Sequence, residues 1–69
     1  MDKFTFDYRA FYSSCDKVRD ELRVIKTFLD EREKAARKNN WITQADSIKN
    51  DLETLETLHT LLDNIENNY

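Results

Sequence analysis

An all-α fold, an antiparallel helical hairpin that self-associates into a bundle, is predicted by three observations. Phe4, Tyr8, Phe11, Cys15, Val18, Leu22, Ile25, Leu29 and Ala36 recur at alternating spacings of four and three, interrupted only at Arg32. That spacing draws one narrow apolar line along a helix, as in helices that pair with helices. The 69 residues contain no Gly and no Pro, so nothing breaks long helices except Asn39-Asn40. A chain this short is near the lower limit for a self-sufficient core, and its single cysteine provides no internal disulfide. Self-association is the expected compensation.

The first segment, residues 1–12, holds five of the eight aromatic residues: Phe4, Phe6, Tyr8, Phe11 and Tyr12. At heptad spacing Phe4, Tyr8 and Phe11 extend the seam. At a period of two, Phe4, Phe6 and Tyr8 alternate with polar residues, which suits an extended arm. Ser13 or Ser14 can cap a new helix, with Asp16 supporting its first turn. The expectation is a short aromatic helix or arm, then a long helix over 14–38.

Arg32, Lys34, Arg37 and Lys38 gather at the end of that helix, where the macrodipole favours cations. Asn39 and Asn40 supply the turn, because Asn tolerates the left-handed conformation that terminates helices. Asn40 or Thr43 can cap the next helix, expected over 43–66. Its apolar positions are Ala45, Ile48, Leu52, Leu55, Leu58, Leu62 and Ile65, with Leu61 at the edge. They spread over roughly 140°, wider than the ~100° needed to face one neighbour. Such a helix touches two neighbours. Val24, Phe28 and Ala35, off the main seam, with Trp41, Ile42, Leu58 and Ile65, are the candidates for self-association.

Helix length leaves the aromatic segment over. A helix across residues 3–38 spans ~54 Å, and one across 43–66 ~36 Å, at 1.5 Å per residue. The returning helix is therefore expected to end near Phe11. Phe4, Phe6, Tyr8, Phe11 and Tyr12 then become the candidate partner-binding residues, since Tyr and Phe are common interface anchors.

Charge divides between the halves. Residues 1–38 carry ten Lys/Arg and eight Asp/Glu, and residues 39–69 carry one Lys and six Asp/Glu. Helices of opposite sign steer toward one another. The cations of 14–38 are interleaved with Asp16, Asp20, Glu21, Asp30, Glu31 and Glu33, which suits a solvated helix surface better than a phosphate-tracking face.

No catalytic residues are assigned. His59 is the single histidine and lies on the apolar edge of the second helix, and Cys15 falls in the seam as a small apolar residue. Glu56 and His59 have the Glu-x-x-His spacing of two-iron bundles, but Leu22 and Ile25 occupy the opposing seam, so no metal site or cofactor is expected. No apolar run has the length of a membrane span or of a signal-peptide core, and a reducing cytoplasm is the expected setting.

The functional expectation is a small non-enzymatic regulator or inhibitor that occupies a surface of another protein; a phage- or plasmid-encoded inhibitor is one concrete form. The alternative is an oligomeric binder of a nucleotide or other anionic ligand between subunits, using Arg32, Lys34, Arg37 and Lys38. A nucleic-acid-binding helical dimer is the third.

Overall fold

The computed structural model describes residues 5–69 and consists of two helices, α1 (Tyr8–Lys38) and α2 (Ile42–Asn67), packed against each other as an antiparallel hairpin. Phe4, which opens the sequence seam, lies outside the described residues. The hairpin is a rod of 63 × 17 × 16 Å. Its radius of gyration, 17.2 Å, far exceeds the ~11 Å of a compact chain of this length. Two helices side by side form one layer of structure, with a core only along their line of contact.

α1 begins at Tyr8, six residues before the boundary expected from the serines. The reason is local: the Asp7 carboxylate accepts the Ala10 backbone N–H at 3.0 Å and so caps the helix. Ser13 and Ser14 lie inside the helix and are exposed. The aromatic segment from Tyr8 onward is therefore part of the long helix, and only Thr5, Phe6 and Asp7 of the described residues precede it.

The turn follows from Asn40, which adopts φ 60°, the left-handed conformation. Its N–H reaches the Arg37 carbonyl at 3.1 Å, and Trp41 N–H reaches the Ala36 carbonyl at 2.8 Å. These two bonds satisfy the last carbonyls of α1 as a Schellman motif. The Asn39 side chain adds a third, donating to the Ala35 carbonyl at 2.9 Å. α2 starts immediately afterwards, with Trp41 at its cap position and no side-chain cap bond.

The contact between helices is narrower than the sequence seam. Cys15, Leu22 and Ala36 of α1 are buried and Leu29 is half-buried; these four repeat every seven residues. From α2, Ala45, Ile48 and Leu55 are buried, and Leu52, His59, Leu62 and Glu66 are half-buried, at a regular alternation of four and three. Val18 and Ile25, expected in the seam, are exposed. A helix facing one neighbour buries one line, and in a heptad the row three residues on turns about 50° aside.

The other flank of α1 turns polar groups inward. Arg19, four residues after Cys15, extends across to α2 and keeps only 20% of its side chain exposed. Its Nε and Nη2 donate to Asp63 Oδ1 at 3.1 and 2.9 Å, and Nη2 also pairs with Glu66. Nη1 donates to Asp16 within α1 at 3.1 Å. Near the turn, Arg37 donates to Glu33 at 2.9 Å and lies 3.7 Å from Asp46 of α2. The cations of these cross-helix pairs come from α1 and the anions from α2, in the sense of the charge division along the chain.

Candidate interaction surface

Arg19 and Asp63 meet, and each lies four residues beyond a seam residue, Cys15 on α1 and His59 on α2. Those two rows consequently share one side of the hairpin. Lys26, Glu33, Lys49 and Glu56 continue them at heptad spacing, so this side is charged along its length. The rows on the opposite flank of each helix share the other side. On α1 they carry Val18, Ile25 and Phe28, which are 46%, 44% and 67% exposed. On α2 they carry Leu58, Leu61 and Ile65, which are 46%, 51% and 50% exposed. One side of the rod is charged and stitched by ion pairs; the other is an uncovered apolar stripe.

At the open end of the hairpin the aromatic residues meet one another. Phe6 stacks on Tyr69 with ring centroids 5.0 Å apart and planes 5° from parallel. Phe11 packs on Phe6 at 5.2 Å and on Tyr69 at 5.1 Å, and Tyr8 meets Phe6 edge-on at 4.7 Å. Tyr12 joins through Phe11 at 5.5 Å and Tyr8 at 6.3 Å. Such tilted and offset arrangements are those favoured by the ring quadrupole. The returning helix thus does not stop short of the aromatics: α2 runs to Asn67, and Tyr69 two residues later closes on Phe6 and Phe11. Phe6, Phe11 and Tyr12 are half-buried in this cluster, while Tyr8 and Tyr69 are 52% and 57% exposed.

The remaining candidates are dispersed. Val24 and Phe28 are exposed one turn apart on α1, Leu58 and Ile65 lie on the apolar side of α2, and Ala35 is exposed near the turn. Trp41 and Ile42 are exposed at the turn end, and Ile42 falls seven residues before Lys49, in the row of the charged side. Of the four cations near the turn, Arg37 is already held between Glu33 and Asp46, while Arg32, Lys34 and Lys38 are exposed. Cys15 is a buried thiol in the helix contact, and His59 is half-buried in the α2 seam.

Among the described residues, no group of three or more His, Cys, Asp or Glu could hold a metal ion, and no helix is long and apolar enough to cross a membrane.

The sequence seam places Val18 and Ile25 in the helix contact and Leu61 at the edge of the apolar face; all three are exposed. The signal was present: an apolar line plus flanking rows on both helices exceeds what a single contact between them can bury. No family model, curated protein or solved structure matches this chain.

Proposed function

We propose that the chain is a small non-enzymatic regulator or inhibitor that acts by occupying a surface of another protein, with the aromatic open end as its contact point. One observation carries this reading. Tyr8 and Tyr69 stand more than half exposed on a base of packed rings formed by Phe6, Phe11 and Tyr12. Aromatic side chains held by their neighbours offer large contact area while little conformational freedom remains to be lost on binding. A phenol with an apolar body and a polar tip is also among the side chains enriched at the centre of protein interfaces.

The test is capture of a partner by the purified chain, compared with Tyr8→Ala. Tyr8 is exposed, so its removal leaves the helix contact in place. The expected result is one partner retained by wild type, lost by Tyr8→Ala at unchanged helicity, and reproduced with both proteins purified. Equal retention by wild type and Tyr8→Ala would overturn the assignment of the aromatic end.

A further inference from the structure

We infer that the apolar side of the hairpin is covered by a second copy of this chain, packed face to face about a two-fold axis running along the rod. The inference stands apart from the aromatic end and requires no foreign partner.

Surface area is the first reason. The chain exposes 5840 Å², whereas a compact monomer of 8.3 kDa exposes about 4,600 Å². The excess, about 1,200 Å², is larger than the ~800 Å² per partner that a standard stable interface removes. The core is the second reason. The buried residues are Cys15, Leu22, Ala36, Ala45, Ile48 and Leu55, two of them alanines, and the lone thiol can form no internal disulfide. A chain of this size with so thin a core is normally completed by association.

Register is the third reason, and it selects a copy of the chain. Arg37 and Asp46 lie level across the hairpin. In an antiparallel pair each step forward on α1 is a step back on α2. The same register therefore sets Arg32 level with Asp51, Ile25 level with Leu58, and Val18 level with Ile65. All six are exposed, and the heptad places all six on the apolar side.

A two-fold axis along the rod keeps every residue at its own level while laying α1 of one copy over α2 of the other. Val18 then meets Ile65 of the second copy, Ile25 meets its Leu58, and Arg32 meets its Asp51. Apolar faces apolar and cation faces anion, twice over by symmetry. The crosswise alternative, α1 on α1 and α2 on α2, cannot match apolar and charged residues at one centre. The centre that sets Val18 on Ile25 sets Leu58 on Ile65, but it leaves Arg32 level with Phe11 and Asp51 beyond the end of α2. The centre that sets Arg32 on Glu21 leaves Leu58 level with Leu55 and Ile65 level with Ile48, which are already buried between the helices. The arrangement along the rod yields a four-helix bundle with every neighbouring pair antiparallel and both charged sides outward.

Sedimentation equilibrium over about 1–200 µM, a range that brackets ordinary dimer affinities, tests this directly. Wild type is expected at twice the 8.3 kDa chain mass. Ile25→Glu is expected to lose the dimer, and Thr60→Glu, which adds the same charge on the other side, to keep it. Because Ile25→Glu could also unfold a dependent hairpin, a charge exchange supplies the second measurement. Arg32→Glu alone and Asp51→Arg alone each place like charges together and should weaken association about ten-fold or more. The double exchange should restore it to within about three-fold. A wild-type chain at single mass throughout, whatever foreign protein it captures, overturns the inference. So does a dimer that survives Ile25→Glu. Failure of the double exchange to recover association overturns the α1-over-α2 arrangement.

Discussion

Tyr69 lies flat against Phe6, the two rings 5.0 Å apart at the centroids and 5° from parallel, although they stand at opposite ends of the sequence. The contact ties the segment before α1 to the segment after α2 and closes the open end of the hairpin. Replacing Tyr69 by Ala removes its pairings with Phe6 and Phe11. Each such ring pair contributes ~0.5–1.5 kcal/mol beyond area burial, so a loss of about 1–2 kcal/mol is expected on denaturant unfolding. Near-UV circular dichroism should weaken in the same variant, while helicity measured in the far UV changes little. An unaltered unfolding midpoint would show that the rings do not hold the ends together.

Asp7 decides where α1 begins. Its carboxylate caps the Ala10 N–H, and its own carbonyl accepts the Phe11 N–H at 3.0 Å. Asp7→Ala should cost about 1 kcal/mol, the usual loss when a capping side chain is removed. Tyr8, Phe11 and Tyr12 sit in the first two turns, so fraying should also loosen the ring cluster. Hydrogen exchange should rise over residues 8–12 and remain unchanged from Leu22 onward. Uniform exchange along α1 would contradict this role.

Arg19 is the polar residue most engaged in the helix contact. It meets Asp63 and Glu66 of α2, and Arg19 and Glu66 retain about one fifth of their side-chain exposure. Fully exposed pairs contribute ~0–1 kcal/mol, whereas breaking a buried one costs ~3–5 kcal/mol. Arg19→Met, which leaves Glu66 facing the contact without its cation, should fall between these, at about 1–3 kcal/mol. Combining it with Glu66→Leu should recover most of that loss, because two apolar chains of similar reach replace the pair. A double-mutant cycle on unfolding free energies reads the coupling; additive losses would place the pair in solvent.

Much of this hairpin was legible because helix periodicity and turn chemistry are local. Asn39-Asn40 was the expected break, and the left-handed Asn40 forms it. Cys15, Leu22 and Ala36 were seam positions and are buried. Other features depended on what the returning helix could reach. Val18 and Ile25 satisfy the same heptad as Leu22, yet one neighbour covers only one row, so they remain exposed. The start of α1 at Tyr8 is set by the Asp7 cap, ahead of two serines with equal capping chemistry, and only the returning chain brings Tyr69 onto the Phe6 and Phe11 rings beside it. Periodicity shows which residues could be buried; the number of neighbours decides which ones are.

Asn40 offers a test of the turn itself. At φ 60° a β-carbon crowds the following carbonyl, a cost of ~1–2 kcal/mol for most residues that Asn partly offsets and Gly avoids. Asn40→Ala should therefore lower stability by about 1 kcal/mol. Asn40→Gly should hold it level or raise it, because the Schellman bonds from Asn40 and Trp41 to the Arg37 and Ala36 carbonyls use backbone groups that the substitution retains. Thermal unfolding of the three proteins at one concentration gives the order Gly at or above Asn, and Asn above Ala. Gly and Ala falling equally below Asn would mean that the Asn40 side chain, and not its backbone conformation, holds α1 to α2.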